Sequence, residues 1–164
     1  FAGSAQLVAL TDIAVTPDNS RIFVADAVMG ILLIDPLAQR SIMLGGPETL
    51  NLSGIYGIEY ANTNLIVTQS GLSPQRIMRL QLNPAGTAVD GVTPMASSLD
   101  GFDTPGVGTF RGESLYYFAN HGTQKADQEL LMMASPLTAG NEVKPPDMDQ
   151  FGEAIKNTLE QQQQ

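Results

Sequence analysis

Polar side chains that could bind a ligand or a metal ion stand at the ends of short apolar segments. Asp26, Gln69 and Asn120 each end a run of residues that has the composition of a β-strand. Asp12 stands at the start of another such run. Carboxylate and amide oxygens are the ligands that calcium and other hard cations prefer. Asp12, Asp26 and Asn120 are therefore candidate ligands for calcium or another divalent cation, although no motif in the chain requires a cofactor.

The single histidine of the chain, His121, directly follows Asn120. Imidazole changes its charge near neutral pH, so an imidazole general base in this chain would have to be His121. Asp26 is the second candidate catalytic residue, and Asp12, Gln69, Asn120 and Tyr56 are candidate ligand-binding residues. The alternative interpretation is structural: His121 lies on the surface of a polar turn, and the strand-end residues satisfy backbone groups where the chain turns.

Several catalytic classes have no motif in this chain. It contains no cysteine, which excludes a disulfide, a thiol nucleophile and a zinc–thiolate site. The patterns of P-loop, dinucleotide-binding, serine-elbow, zinc-protease and EF-hand proteins are also missing from the sequence. A formal net charge of -9 and the scattered Lys and Arg residues argue against nucleic acid and anionic membranes as partners. A small-molecule ligand remains as a class of partner.

Three similar units position the candidate residues. Segments 12–15, 57–60 and 106–109 recur about 45 to 50 residues apart, a period typical of propeller blades. Predicted second strands follow at 21–26, 64–69 and 115–120, third strands at 30–35, 75–82 and 129–134, and fourth strands at 40–44, 89–97 and, more weakly, 141–144. We therefore predict an all-β fold, a partial β-propeller of about three four-stranded antiparallel blades. A β-sandwich with chance similarity between its strands is the alternative.

The predicted domain organisation has a propeller part at 1–144 and a tail at 145–164. The blades span about 10–52, 53–100 and 101–144. Residues 1–9 have the glycine and small residues typical of the end of a preceding blade. Pro145 and Pro146 end the sheet pattern, and Asp147 with Gln150 resembles a capping box. Apolar residues then recur on one helical face, so a short C-terminal helix is predicted in the tail.

Segment 16–26, TPDNSRIFVAD, resembles the TPDG-x-x-LYVAD blade signature of six-bladed propellers of the senescence marker protein, gluconolactonase and regucalcin-like superfamily. Segments 75–80 and 102–106, the latter leading into 115–120, are further similarities, and the resemblance covers about residues 5 to 137. It implies a central channel in which a divalent cation, usually calcium, polarises a substrate carbonyl. Thr11 and Tyr56 stand where those relatives place ligating Asn and Asp, and Asp12 is adjacent to Thr11.

Three functions are compatible with these patterns. The first is a ligand-binding or scaffold segment of a propeller without an intact catalytic site of its own. The second is the C-terminal half of a metal-dependent lactonase or esterase-like hydrolase, because six blades would need about 290 residues at this period. The third is an interaction protein that closes its ring by self-association. The expected partners are accordingly missing N-terminal blades or a second copy.

No apolar run in the chain approaches the roughly 20 residues that a membrane-spanning helix needs. We therefore predict no membrane-spanning segment. A secreted and a cytoplasmic location both stay open.

Overall fold

The computed structural model describes residues 7–121 and 129–137. Within these residues the chain forms eleven β-strands and no helix, which confirms the all-β prediction. The strands are β1 Leu10–Val15, β2 Ile22–Asp26, β3 Gly30–Asp35, β4 Arg40–Met43, β5 Ile55–Ala61, β6 Asn64–Gln69, β7 Arg76–Leu82, β8 Val89–Ser97, β9 Gly108–Arg111, β10 Ser114–Phe118 and β11 Met132–Pro136. The predicted helix in 145–164 and the predicted strand at 141–144 lie outside the described residues.

The strands form three antiparallel sheets. Sheet 1 has the order β1-β2-β3-β4, sheet 2 has the order β5-β6-β7-β8, and sheet 3 has the order β11-β10-β9. Within each sheet, every strand pairs with the next one along the chain. Each sheet is therefore a meander.

Alternation of residues along β2 decides which side of sheet 1 is buried. Phe23 and Ala25 point to one face and are fully buried, whereas Ile22 and Val24 point to the other face and are half-buried. The turn that precedes β2 is closed by Asp18, whose carboxylate accepts hydrogen bonds from Thr16 and from the backbone and hydroxyl of Ser20. These bonds, with that from Thr16 the strongest, lower the pKa of Asp18 to about 2.

Two hydrophobic cores hold the three sheets together. The core between sheets 1 and 2 includes Phe23, whose ring stacks on Tyr60 with a centroid distance of 6.1 Å. The core between sheets 2 and 3 includes Tyr117, whose ring contacts the edge of Phe102 at 6.0 Å. Burial raises the pKa of the Tyr117 hydroxyl, which lies 3.4 Å from Ser135 Oγ. Each sheet therefore buries one face against the next sheet.

The first strands of the three sheets are neighbours: β5 contacts β1 on one side and β9 on the other. The Thr11 hydroxyl donates to the Ile55 carbonyl at 2.8 Å across the first contact. At the second contact, a Cβ added to Gly57 would lie 3.2 Å from the Gly106 carbonyl oxygen. The absence of a side chain at Gly57 therefore lets sheets 2 and 3 approach closely.

Sheet 3 differs from the predicted strand limits. Its first strand begins at Gly108 rather than at 106, and its third described strand spans Met132–Pro136 rather than 129–134. The Ala119 N–H still donates to the Leu131 carbonyl, but beyond it the Asn120 side chain, and not the backbone, bonds to the Glu129 carbonyl and the Leu131 N–H. Regular pairing therefore starts only at Met132.

No helix in the described part of the chain is long and apolar enough to cross a membrane.

Candidate functional site

Asp26, Gln69 and Asn120 lie at the same edge of their sheets. Asp26 and Gln69 are the last residues of β2 and β6, and Asn120 comes two residues after β10. Since β2, β6 and β10 occupy equivalent places in their sheets, their ends define one edge of the three-sheet unit, which we call the strand-end edge. The turn at 16–21 lies at the opposite edge.

The Asp26 carboxylate is completely buried and is bonded entirely to backbone. Its Oδ2 accepts from the N–H groups of Val8 and Ala9 at 2.6 and 2.8 Å, and its Oδ1 accepts from those of Val28 and Met29 at 2.8 and 2.9 Å. Burial acts to raise the pKa of Asp26, but the four bonds together outweigh it and lower the pKa to about 2. Asp26 therefore joins the segment before β1 to the turn after β2.

The Gln69 amide is also completely buried. Its Nε2 donates to the carbonyls of Asn51 and Ser53 at 2.8 and 2.6 Å, and its Oε1 accepts from Arg76 Nε at 2.7 Å. Asn51 and Ser53 belong to the segment that leads from sheet 1 into sheet 2. Gln69 therefore fixes the path of that connection.

Asn120 is partly exposed and connects the segment that follows β10 to the segment that precedes β11. Its Nδ2 donates to the Glu129 carbonyl at 2.8 Å, and its Oδ1 accepts from the Leu131 N–H at 2.7 Å. In the described residues, Asp26, Gln69 and Asn120 make no hydrogen bond to one another. Their partners are backbone groups and, for Gln69, Arg76.

Asp12 lies at the contact between β1 and β5. Its Oδ2 accepts from the Ile58 N–H at 2.9 Å and its Oδ1 from the Ile13 N–H at 2.8 Å. Burial, and secondly the charge of Asp12, raise the pKa of the half-buried Glu59. The structure thus brings together a carboxylate pair that the sequence analysis missed. In the sequence, the one indication of this pair is Glu59, an acidic residue inside the otherwise apolar run of β5.

Tyr56 and Thr11 occupy equivalent irregularities in their strands. The register of β5 shifts between Ile55 and Gly57, and that of β1 shifts between Leu10 and Asp12. Tyr56 is exposed at 41%. Its ring lies beside Gly71, where an added Cβ would be 3.0 Å from Tyr56 Cε2.

His121 is exposed and lies against Gly106. A Cβ added to Gly106 would be 3.3 Å from the Cβ of His121. Within residues 7–121 and 129–137, no three His, Asp or Glu side chains are grouped so that they could hold a metal ion.

Comparison with known proteins gives the fold. No protein-family model matches the sequence, and no curated protein matches it. Among solved structures, the chain is similar to the PQQ-bound form of aldose sugar dehydrogenase from Streptomyces coelicolor, a β-propeller, with a TM-score of 0.54 and 15% identity. The match covers 83% of this chain and 46% of that one, so the chain spans about half of that structure. At this identity the likeness shows the fold alone, and that fold is a β-propeller.

Proposed function

We propose that this chain is a propeller segment that serves as a scaffold and presents a small-molecule binding surface, without an intact catalytic site of its own. The observation that carries the proposal is the bonding of Asp26. An ionised carboxylate offers about four acceptor positions, and backbone N–H groups fill four at Asp26. A metal ion or a substrate would have to displace bonds that hold the fold.

The other strand-end residues support the same proposal. Both atoms of the Gln69 amide and both atoms of the Asn120 amide are bonded within the protein. Calcium usually takes six to eight oxygen ligands, and these side chains would offer few. Tyr56 and His121 remain exposed, and a ring such as Tyr56 suits contact with a small organic ligand.

The competing function is the metal-dependent lactonase or esterase-like hydrolase that the family resemblance implies. In that case Asp12, Asp26 and Asn120 would bind calcium in a larger propeller. Calcium titration with a thermal-shift readout separates the two, because a ligand that binds only the folded state raises the melting temperature. We expect no rise at millimolar calcium. A rise that Asp12→Asn abolishes would refute the scaffold proposal and support the hydrolase.

A second candidate function, ring closure by self-association, is favoured by the outer faces of sheets 1 and 3. The outer face of sheet 1 lies opposite its core face and is apolar. It includes Ile13, Val15, Ile22, Val24, Ile34 and the buried Leu32, and β4 continues it with Ser41 and Met43. Ile13 is 57% exposed and Val15 is 45% exposed. Adjacent apolar side chains with this exposure mark an interaction surface.

The outer face of sheet 3 carries a matching apolar groove of about 530 Å³. It is lined by Val107, Gly108, Thr109, Arg111, Tyr116, Tyr117, Phe118 and Met132. Met132 is 59% exposed. Sheets 1 and 2, and sheets 2 and 3, already pack through faces of this kind.

A second copy of the chain is the occupant to which we commit for both faces. The outer face of sheet 1 in one copy would pack on the outer face of sheet 3 in the other, and twofold symmetry would repeat the contact. Since the matched part of the chain spans 46% of a complete propeller chain, two copies would supply about one ring.

Light scattering after gel filtration tests this arrangement. We expect a dimer that Ile13→Lys dissociates, because the substitution places a charge in the contact. Leu37→Lys is the control, since Leu37 is 87% exposed in the turn after β3 and lies on neither face. A wild-type monomer, or a dimer that Ile13→Lys leaves intact, would contradict ring closure by a second copy.

A further inference from the structure

Arg21 lies between two cavities at the edge of the sheets opposite the strand-end edge. We propose that these cavities, at the seam between sheets 1 and 2, bind a small oxyanion, a phosphate or carboxylate group, through Arg21. The site is separate from the strand-end residues, and the proposal goes beyond the function proposed above.

Three turns and the strands beside them form the larger cavity, of about 400 Å³. They are the turn after β1, the turn after β5 and the turn after β7. Polar and aromatic groups from both sheets line it, among them Arg21, Tyr60, Thr63, Gln81, Asn83 and Asp90. The cavity therefore exists only when sheets 1 and 2 are packed together.

The smaller cavity, of about 210 Å³, shares Arg21 with the larger one. Asp35, Arg40 and Thr87 also line it. A second cation, Arg40, thus lines the smaller cavity only, and Arg21 is the cation that the two cavities share.

The guanidinium of Arg21 is positioned by packing rather than by a counter-charge. Arg21 is half-buried, and its guanidinium makes no hydrogen bond or ion pair with any residue that the structure describes. Its Nη1 rests against Gly86, where an added Cβ would collide with it. Gly86 has φ of +65°, a conformation that favours glycine. The turn after β7 thus leaves space for the guanidinium group of Arg21.

The side chains that line the two cavities determine which class of ligand they can bind. A guanidinium presents five donors in a planar fork that matches the oxygens of a phosphate or carboxylate. Tyr60, which stacks on the buried Phe23, adds an aromatic wall. A small anion with a ring or apolar part would use both features, so phenyl phosphate and benzoate are suitable probes.

Two carboxylates near Arg21 limit the affinity. Asp90 lines the larger cavity and is exposed, and Asp35 lines the smaller one, where its Oδ1 accepts from the Ala38 N–H. An exposed like charge costs up to about 1 kcal/mol, which corresponds to about fivefold in affinity. We expect weak, salt-sensitive binding that Asp90→Asn strengthens about two- to fivefold.

Titration of the whole chain with phenyl phosphate, benzoate and inorganic phosphate tests the proposal, followed by NMR through the backbone amides and the Arg Nε–H groups. We expect saturable shifts at Arg21 and Gly86. The two ring-bearing probes distinguish phosphate from carboxylate as the preferred group, and inorganic phosphate measures the contribution of the ring. Arg21→Gln should weaken binding about tenfold or more, since a hydrogen bond to a charged group is lost.

Arg40→Gln is the matched control, because Arg40 is exposed and lines only the smaller cavity. It should change the dissociation constant by less than Arg21→Gln does. Circular dichroism verifies that each variant is folded. Unchanged binding in a folded Arg21→Gln variant, or no saturable shift in the wild type at millimolar probe, would overturn the proposal. Neither result bears on the calcium titration, which reports on the strand-end edge.

Discussion

Replacement of Gln69 by Leu removes the buried amide that fixes the connection between sheets 1 and 2. The carbonyls of Asn51 and Ser53 would lose donors at 2.8 and 2.6 Å. A buried polar group left without its partner costs about 1 to 3 kcal/mol. Arg76 is half-buried and its Nε can turn to solvent; Asn51 is exposed, so its carbonyl recovers part of its hydration and the loss stays below the full cost for two buried groups. We expect a loss of about 2 to 4 kcal/mol in the free energy of unfolding.

Urea unfolding followed by far-UV circular dichroism measures this loss, since the chain has no Trp to report by fluorescence. In thermal unfolding the loss corresponds to about 5 to 15 °C for a protein of this size. Gln81→Leu is the matched control, because Gln81 is exposed on β7 and its side chain makes no hydrogen bond with any residue that the structure describes. It should change the free energy of unfolding by less than about 0.5 kcal/mol.

Gln69→Glu distinguishes the donor from the acceptor role of the amide. A carboxylate still accepts from Arg76 but faces two carbonyl oxygens with no proton to donate. We therefore expect a loss at neutral pH at least as large as that of Gln69→Leu, with partial recovery in acid when the carboxyl group is protonated. Equal stability of the wild type and Gln69→Leu would refute the assigned role of Gln69.

Three further substitutions test other parts of the unit. Asp26→Asn should lower the melting temperature at pH 7. Since the folded-state pKa of Asp26 is about 2, below its ordinary value of 3.8, the stability that the Asp26 carboxylate contributes is present above about pH 4 and is lost as the pH falls toward 2. Thermal scans of the wild type and of Asp26→Asn should therefore converge near pH 2. Glu59→Gln should raise the melting temperature at pH 7, because the raised pKa of Glu59 means that its charged form costs stability, and the gain should vanish in acid. Gly57→Ala should cost about 1 to 3 kcal/mol in urea unfolding, since its Cβ would press on the Gly106 carbonyl, whereas Gly91→Ala meets only the movable Gln81 amide.

Each of these predictions has an outcome that contradicts it. A constant difference between wild type and Asp26→Asn from pH 7 to pH 2 would show that its charge is not what stabilises the fold. A lower melting temperature for Glu59→Gln at neutral pH would mean that Glu59 has a stabilising partner. Equal effects of Gly57→Ala and Gly91→Ala would remove the argument for a close approach of sheets 2 and 3.

The strands of sheets 1 and 2 were largely predictable, because composition and turn residues mark them locally. β3 and β8 have the predicted limits, Gly30–Asp35 and Val89–Ser97. β3 is an apolar run that ends at Asp35, directly before a Pro, which cannot donate to a ladder. Sheet 3 was predicted less well, since the side chain of Asn120 intervenes in the pairing of β10 with the next segment. Propensity carries no information about such a bond.

Of the four hydrogen bonds at Asp26, only the two to residues nearby in the sequence were predictable. An Asp that bonds to the backbone two or three residues further on is a common turn motif, and Asp26 does this with Val28 and Met29. Its bonds to Val8 and Ala9 join residues 17 and 18 positions apart, which depend on how β1 pairs with β2. A local pattern cannot specify them.

Glu59 and Arg21 owe their properties to residues of other sheets. Burial, and secondly the charge of Asp12 from β1, raise the pKa of Glu59, and the cavities at Arg21 depend on Gly86 from the turn after β7. Neither neighbour is close in sequence. A catalytic role for His121 and a role in ligand binding for Tyr56 stay predictions.

The outer strands of sheets 1 and 2 restrict how another chain can attach. β4 has only four residues, and the start of β8 is already bridged by Gly45 through bonds to Thr87 and Val89. Pro94, in the middle of β8, offers no N–H for a further ladder. Addition of a strand, the step by which open sheets grow into fibres, is therefore disfavoured along these edges. If two copies close a ring through their faces as proposed, assembly should stop at that ring rather than continue as a filament.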